Sequence, residues 1–130
     1  TDNAKKAEMA YATAAALWQA KKLSQARTYA QKAISFNENY GEPYILLAQM
    51  YGSSPNWSDE PALNRCTYFV VIDKLQRAKA VDPSVTDKVN ELIRTYAAHT
   101  PQAKDLFMLG YKAGDRITIG GWIGESTTIR

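Results

Sequence analysis

Small and large apolar residues recur at helical spacing on two neighbouring segments between residues 26 and 51. The first segment carries three alanines, at intervals of four and three residues: Ala26, Ala30 and Ala33. After a polar break at 37–40, the second segment carries mostly bulky residues at similar intervals: Tyr44, Leu47, Ala48 and Tyr51. Each interval places its residues on one face of a helix. Small side chains on one helix let its neighbour approach closely, so the pattern predicts two antiparallel helices in contact.

The composition is that of one globular domain. The chain has 130 residues, of which 45% are apolar and 22% charged, enough for a modest core of its own. Its net charge is +3, but the 16 Lys and Arg are interspersed with 13 acids and form no run, which argues against a nucleic-acid-binding surface. No apolar run approaches the ~18 residues that a membrane-spanning helix needs. The chain begins at Thr1 and not at Met, which leaves a processed protein and an excised piece as alternatives.

Periodicity and capping signals divide the chain into six predicted helices and a C-terminal β-hairpin. The helices are expected at about 2–21, 24–36, 42–51, 58–81, 82–98 and 101–109, with Ser58 capping the fourth and Asp82-Pro83 starting the fifth. The apolar run 68–72 also fits a buried strand, and we favour helix because its flanks keep helical spacing. In the tail, 116–119 alternates as a strand does, and 122–129 fits a strand, a two-residue turn and a second strand, with Gly124 at the first position of a type II′ turn.

A 34-residue frame relates parts of the chain, with frames starting at Ala7 and Gly41. In the second frame, positions 44, 47, 48 and 51 match the large–large–small–large signature of a first tetratricopeptide repeat (TPR) helix, and Ala78 with Asp82-Pro83 resembles the end of the repeat. The segment between Tyr51 and Ala78 exceeds the period by about 11 residues, which indicates an insertion. On these residues the chain resembles the TPR family.

The resemblance implies a mainly α fold, a short TPR-like solenoid of about 2.5 repeats and five to six helices with a C-terminal β-hairpin. Within a single domain of residues 1–130, the expected parts are repeat 1 at about 7–40, repeat 2 at about 41–85 with an insertion near 52–66, a partial repeat 3 at about 86–110, and the hairpin at about 115–130. The tail from Phe107 to Arg130 also resembles the C-terminal region of bacterial cell-envelope TPR proteins. That second resemblance implies a bacterial protein of the periplasm or cell envelope.

The residue types that carry catalysis are sparse and scattered. His99 is the only histidine and Cys66 the only cysteine, so neither has a partner at metal-ligand spacing. The glycines at 120, 121 and 124 match neither phosphate-binding pattern, GxxxxGK[ST] or GxGxxG. Asp59-Glu60 fits the positive end of a helix better than a catalytic carboxylate pair. We therefore expect no catalytic, cofactor-binding or metal site, and a protein that is not an enzyme.

In TPRs the first helix of each repeat lines a concave surface that binds ligands. The resemblance places seven residues on that surface, of which Ala15 is the smallest. The six predicted to bind the partner are Tyr11, Trp18, Ile45, Gln49, Asn90 and Arg94. TPRs that clamp a C-terminal carboxylate carry Lys, Asn and Arg at these positions, and four residues here depart from that pattern: Tyr11, Ala15, Ile45 and Gln49. An extended peptide or a folded protein surface is therefore the expected partner of this scaffold or adaptor module. Two alternatives stay open. In the first, Tyr11 and Trp18 only fill gaps between helices. In the second, the chain is a structural subunit that self-assembles, if only as a weak homo-oligomer, through its hairpin or the 52–66 insertion.

Overall fold

Residues 2–130, which the computed structural model describes, form seven α-helices followed by a two-stranded antiparallel hairpin. The helices are α1 (Asp2–Gln19), α2 (Leu23–Phe36), α3 (Glu42–Ser53), α4 (Pro61–Arg65), α5 (Thr67–Val81), α6 (Thr86–Ala97) and α7 (Ala103–Met108). A 3-10 turn, Pro83–Val85, precedes α6, and the strands are β1 (Arg116–Thr118) and β2 (Ser126–Thr128). The predicted fold class, mainly helical with a C-terminal β-hairpin, is confirmed.

The long helices pack in chain order, α1 with α2, α2 with α3, α3 with α5 and α5 with α6, in a helical repeat-like arrangement. The three alanines of α2, Ala26, Ala30 and Ala33, are completely buried, and α2 packs against both α1 and α3. The face of α1 toward the core is also small, with Ala7, Ala10 and Ala14 buried. Small side chains on both helices of a pair allow a short separation between their axes. The predicted contact between the segments around 26–36 and 42–51 is therefore confirmed.

Helix α3 lies at the centre of the molecule. It contacts α1, α2 and α5, and its residues from Pro43 to Ala48 are all buried, as are Met50 and Tyr51. A helix that is apolar on every side is one that other elements enclose, whereas an amphipathic helix keeps a solvent face. Because α3 is enclosed, it buries Ile45, one of the residues that the sequence assigned to a binding surface.

The predicted fourth helix, 58–81, is wrong in its start and its continuity. Helix α4 begins at Pro61, and a turn at Cys66 separates it from α5. Ser58 lies in the preceding loop, where the side-chain oxygen of Asn64 accepts hydrogen bonds from the backbone amides of Trp57 and Ser58, each at 2.8 Å. Because Asn64 binds these amides, the loop is held in a non-helical conformation and the helix starts after it.

The start of the predicted fifth helix is confirmed at Asp82-Pro83. A carboxylate oxygen of Asp82 accepts from the amide of Ser84 at 3.1 Å, and Pro83 occupies the first turn. Its other oxygen accepts from the amide of Gly41 at 2.9 Å. Asp82 therefore caps the turn before α6 and also joins it to the turn between α2 and α3.

The hairpin is present, but its predicted turn is wrong. Strand β1 pairs with β2 so that Ile117 lies opposite Thr127, and residues 119–125 form a seven-residue connection in place of a two-residue turn. Trp122 and Ile123, predicted as strand, lie in this connection. The carbonyl oxygen of Trp122 accepts from Nη1 of Arg27 in α2 at 2.5 Å, and its ring meets that of Tyr51 edge to face at a centroid distance of 5.3 Å. These contacts with the helices hold Trp122 in the connection, whose two ends are joined by a hydrogen bond from the amide of Ile119 to the carbonyl oxygen of Glu125 at 2.9 Å.

The hairpin is fastened to α5 as well. Thr127 donates to Asp73 at 2.7 Å, Arg130 forms an ion pair with the same carboxylate, and Lys74 pairs with Glu125 at 2.7 Å. Four isoleucines of this region are buried: Ile117, Ile119, Ile123 and Ile129. The hairpin is thus part of the core, as expected for a two-stranded element that is marginal by itself.

Candidate protein-binding face

One face of the molecule joins α1, α3 and α6 through polar contacts. The hydroxyl of Tyr11 in α1 donates to Glu42 at the start of α3, at 3.5 Å. Lys88 in α6 forms an ion pair with the same carboxylate at 3.1 Å. The ring of Tyr40 packs edge to face on that of Tyr11, with 5.6 Å between centroids. We call this set of four residues, Tyr11, Tyr40, Glu42 and Lys88, together with Trp18, the first-helix face.

Close packing at Gly41 fixes the geometry of this face. A Cβ atom at Gly41 would lie 2.9 Å from Cβ of Asp82 and 2.9 Å from Cγ2 of Val85, closer than real Cβ atoms approach other atoms. Gly41 thus lets the turn before α3 touch the turn before α6, and Asp82 bonds to its amide there. Glu42, the next residue, is held beside Lys88 as a consequence.

The surroundings of Tyr11 and Tyr40 favour the protonated form of both hydroxyl groups. Burial, reinforced by the charge and the hydrogen bond of Glu42, raises the pKa of Tyr11 above its ordinary value. The pKa of Tyr40 is raised too, first by burial and then by Tyr11 and the nearby carboxylates. Both phenols therefore act as neutral hydrogen-bond donors and acceptors at physiological pH.

The structure places the predicted residues of α1 and α3 differently. Tyr11 and Trp18 are half-buried and pack on the core, and because seven residues separate them they lie on the same side of α1, about two turns apart. Each keeps an exposed part that a partner could reach. Ile45 is only 1% exposed and belongs to the core, whereas Gln49 is half-buried. We therefore leave Ile45 out of the candidate surface.

The predicted residues of α6 lie away from the first-helix face. Nζ of Lys79 in α5 donates to the side-chain oxygen of Asn90 at 2.8 Å, so Asn90 is directed toward α5. Lys88 precedes Asn90 by two residues, which puts the two side chains on opposite sides of α6. Arg94 is exposed and follows Asn90 by four residues, on the same side as Asn90. The structure thus brings Tyr11 together with α3 and α6 but separates it from Asn90 and Arg94.

Sequence reasoning missed Tyr40, Glu42 and Lys88. Glu42 looked like an ordinary acid in the first turn of a helix, where it is favourable for electrostatic reasons alone. Lys88 and Glu42 are 46 residues apart, and nothing local marks them as a pair. The one available signal was Tyr40, an aromatic residue at the end of an otherwise polar break.

The remaining polar residues offer little chemistry. Burial raises the pKa of Cys66 to about 11, so its thiol is protonated at neutral pH and unreactive as a nucleophile. The ring of His99 lies against that of Tyr68, with 5.3 Å between centroids. Within residues 2–130, no three His, Cys, Asp or Glu side chains converge as metal ligands would, and none of the helices has the length and apolar character needed to span a bilayer.

The first-helix face offers aromatic rings, two phenol hydroxyls and an ion pair. Comparison of the chain with protein-family models, with curated proteins and with solved structures gave no match.

Proposed function

We propose that this chain is a non-enzymatic protein-interaction module, a TPR-like scaffold or adaptor that binds an extended peptide or a folded protein surface on its first-helix face. The observation that supports the proposal is the link from Tyr11 through Glu42 to Lys88, which connects α1, α3 and α6. The TPR resemblance makes these the first helices of successive repeats, and in helical solenoids such helices form the surface that receives ligands. The resemblance of the tail to bacterial cell-envelope TPR proteins supports a location in the periplasm or cell envelope.

The chemistry of the face supports a protein partner. Tyr11, Trp18 and Tyr40 present partly exposed aromatic rings next to polar tips, and aromatic residues dominate the energetics of protein interfaces. Glu42 keeps 27% and Lys88 52% of its side chain exposed, so both are available for polar contacts at the rim.

Chemical crosslinking in native extract, followed by mass spectrometry, tests this function. The variant Trp18→Ala with Lys88→Glu alters the face at two points, and Arg77→Glu, on the exposed side of α5, changes the charge by the same amount as Lys88→Glu elsewhere. We expect the first variant to lose the proteins that the wild type captures and the control to retain them, with unchanged helical circular dichroism (CD) for both. Capture of the same proteins by the face variant would refute the proposal.

A structural subunit is the second candidate, and the hairpin provides the observation that favours it. Strands β1 and β2 pair only with each other in residues 2–130, so each has a free edge to which another chain could add a strand. Both are only three residues long, which limits how many hydrogen bonds such an addition would form. Light scattering at several concentrations decides between the two candidates, because a strict monomer contradicts self-assembly.

A further inference from the structure

Helix α7 carries an apolar surface that no other part of the described chain covers. Leu106 anchors the helix and is 1% exposed, whereas Phe107 is 75% and Met108 84% exposed. Leu109 follows at 38% exposed. Three consecutive large apolar residues in water are unfavourable, and contiguous patches of this kind mark interaction sites in folded proteins.

A cleft of about 450 Å³ opens beside Phe107 and Met108. Its other walls are Tyr111 and the end of the hairpin at Ile129 and Arg130. Two backbone hydrogen bonds hold these walls together: the amide of Gly114 donates to Ile129 at 2.7 Å, and the amide of Ile129 donates to Asp115 at 2.8 Å. The cleft is therefore preformed, and it is wide enough to take a large side chain of a partner.

Every charged residue that lines the cleft is a cation: Lys104, Lys112 and Arg130. Arg130 is positioned by its ion pair with Asp73 and by the ring of Phe69, 5.1 Å from its guanidinium carbon. Lys112 is 3.6 Å from Asp115 and its side chain is 78% exposed, so this contact offsets little of its charge. Beyond Met108, a second groove is lined by charges of both signs: Glu60, Arg65 and Asp105.

From this apolar floor and cationic rim, we infer that the cleft beside α7 is a second binding site, for an acidic peptide segment that inserts a large apolar side chain. Carboxylates of the segment would face Lys104, Lys112 and Arg130 while its apolar side chain covers Phe107 and Met108. Apolar burial supplies affinity for such a ligand and charge complementarity supplies selectivity. The inference goes beyond the proposed function and depends on none of the residues of the first-helix face.

Two other occupants fit the charges and the shape less well. A second copy of the chain could offer the groove between α1 and α2, where Met9 is 71% exposed, but that groove is lined by Lys6 and Lys32, so two cationic surfaces would meet. An anionic membrane would match the charge, but a bilayer surface has no protruding side chain to fill a concave cleft, and α7 has only six residues to lie on it.

The test uses the full chain and a fluorescein-labelled synthetic peptide with Phe and Leu at helical spacing between glutamates. A matched peptide carries lysine at every glutamate position. By fluorescence anisotropy we expect the acidic peptide to bind at least about tenfold more tightly than the basic one, with weakening at high salt. Phe107→Ser should weaken binding at least about tenfold, whereas Met9→Ser, an equally exposed apolar residue in the other groove, should leave it unchanged. Lys104→Glu with Lys112→Glu should invert the preference between the two peptides.

Several results would overturn the inference. Equal binding of both peptides, or equal loss in Phe107→Ser and Met9→Ser, would reduce the cleft to a non-specific apolar surface. Phe107-dependent sedimentation with phosphatidylglycerol vesicles without binding of the acidic peptide would assign the patch to a membrane. Concentration-dependent association that Phe107→Ser abolishes would assign it to a second copy. The two tests stay distinguishable because neither Trp18 nor Lys88 lines the cleft. Proteins lost from capture by Trp18→Ala with Lys88→Glu report on the first-helix face, whether or not the cleft binds the acidic peptide.

Discussion

At the level of single residues, Gly52 shows how a close contact overrides helix propensity. It lies within α3, where Gly→Ala ordinarily stabilises a helix by about 0.5–1 kcal/mol. A Cβ atom there would come within 2.7 Å of Cε1 of Tyr96, whose ring stacks on Tyr68. An aromatic ring cannot bend away as the tip of a flexible side chain can. We expect Gly52→Ala to lower the free energy of unfolding by about 1–2 kcal/mol, measured by urea denaturation. Combined with Tyr96→Ala, the substitution should no longer destabilise, and a penalty that persists in the double variant would contradict the clash.

A second prediction at this level concerns Asp82, because its carboxylate accepts hydrogen bonds from two turns. Asp82→Ala removes the cap on Ser84 and leaves the amide of Gly41 without its acceptor, so we expect a loss of about 1–2 kcal/mol. Asp59→Ala, in an exposed loop, is the matched control and should change little. Both variants are compared by urea denaturation at pH 7. An equal effect of the two substitutions would contradict the bridging role.

The same carboxylate predicts a pH dependence. Hydrogen bonds from Ser84, and then from the amide of Gly41, lower the pKa of Asp82 below its ordinary value of 3.8. A lowered pKa means that the folded state favours the charged form, so the stabilisation is complete above pH 3.8 and is lost as the pH falls through the folded-state pKa. The stability difference between wild type and Asp82→Ala should therefore be constant from neutral pH to about pH 5 and shrink in stronger acid. A difference that grows on acidification would contradict this assignment.

At the level of elements, most helices were predictable, whereas the start and the break of the helical region 58–81 and the details of the hairpin were not. Helix α2 begins within one residue of its predicted start and ends at the predicted Phe36, since alanine spacing and the polar break after it are local signals. Trp122 and Ile123 alternate as a strand would, but their conformation is set by Arg27 and Tyr51, far away in the sequence. Ser58 does not cap α4, which begins at Pro61; its hydroxyl oxygen accepts from the amide of Glu60 within the loop, which Asn64, six residues later, also binds. Local sequence patterns do not predict the conformation of a segment where contacts with another element determine it.

The first-helix face likewise includes residues that the sequence could predict and residues that it could not. Tyr11 and Trp18 were assigned to the surface by their positions in the repeat frame, and the structure places both, half-buried, on one side of α1, as residues seven apart in a helix must lie. Ile45 was assigned to a surface by its position in the repeat frame, but α3 is enclosed by its neighbours and has no broad solvent face. The pairing of Glu42 with Lys88 depends on how the helix pairs stack, which single-sequence periodicity does not contain.

Removal of the hairpin tests its role as a structural element. Deleting residues 114–130 takes away four buried isoleucines, and burial of one such side chain contributes about 1.5–3 kcal/mol. Their sum is comparable to the whole stability of a domain of this size, about 5–15 kcal/mol. We therefore expect the truncated chain to aggregate or to lose its cooperative thermal transition, followed by CD. A soluble truncated chain with an unchanged melting temperature would exclude this structural role.

The molecule as a whole differs from an open solenoid because its C-terminal segment reaches back to the first helix pair. In repeat proteins each unit contacts only its neighbours, so distant units can unfold separately. Here the connection between β1 and β2 binds Arg27 of α2 through the carbonyl of Trp122 and binds Tyr51 of α3 through Glu125, at 2.5 Å. Strand β2 is fastened to α5 by Asp73. One segment thus ties together the second helices of two successive pairs.

This closure predicts a single cooperative unfolding transition. Trp57→Phe with Trp122→Phe leaves Trp18, in α1, as the only tryptophan, so fluorescence reports on the N-terminal pair while far-UV CD reports on all helices. Because the C-terminal segment holds α2, and α2 packs along α1, we expect the two urea transitions of this variant to coincide. Arg27→Ala on the same background removes the bond to residue 122 and should move the fluorescence midpoint below the CD midpoint. Separate transitions before that change would show that α1 and α2 unfold independently, and coincident ones after it would show that Arg27 does not couple the two ends.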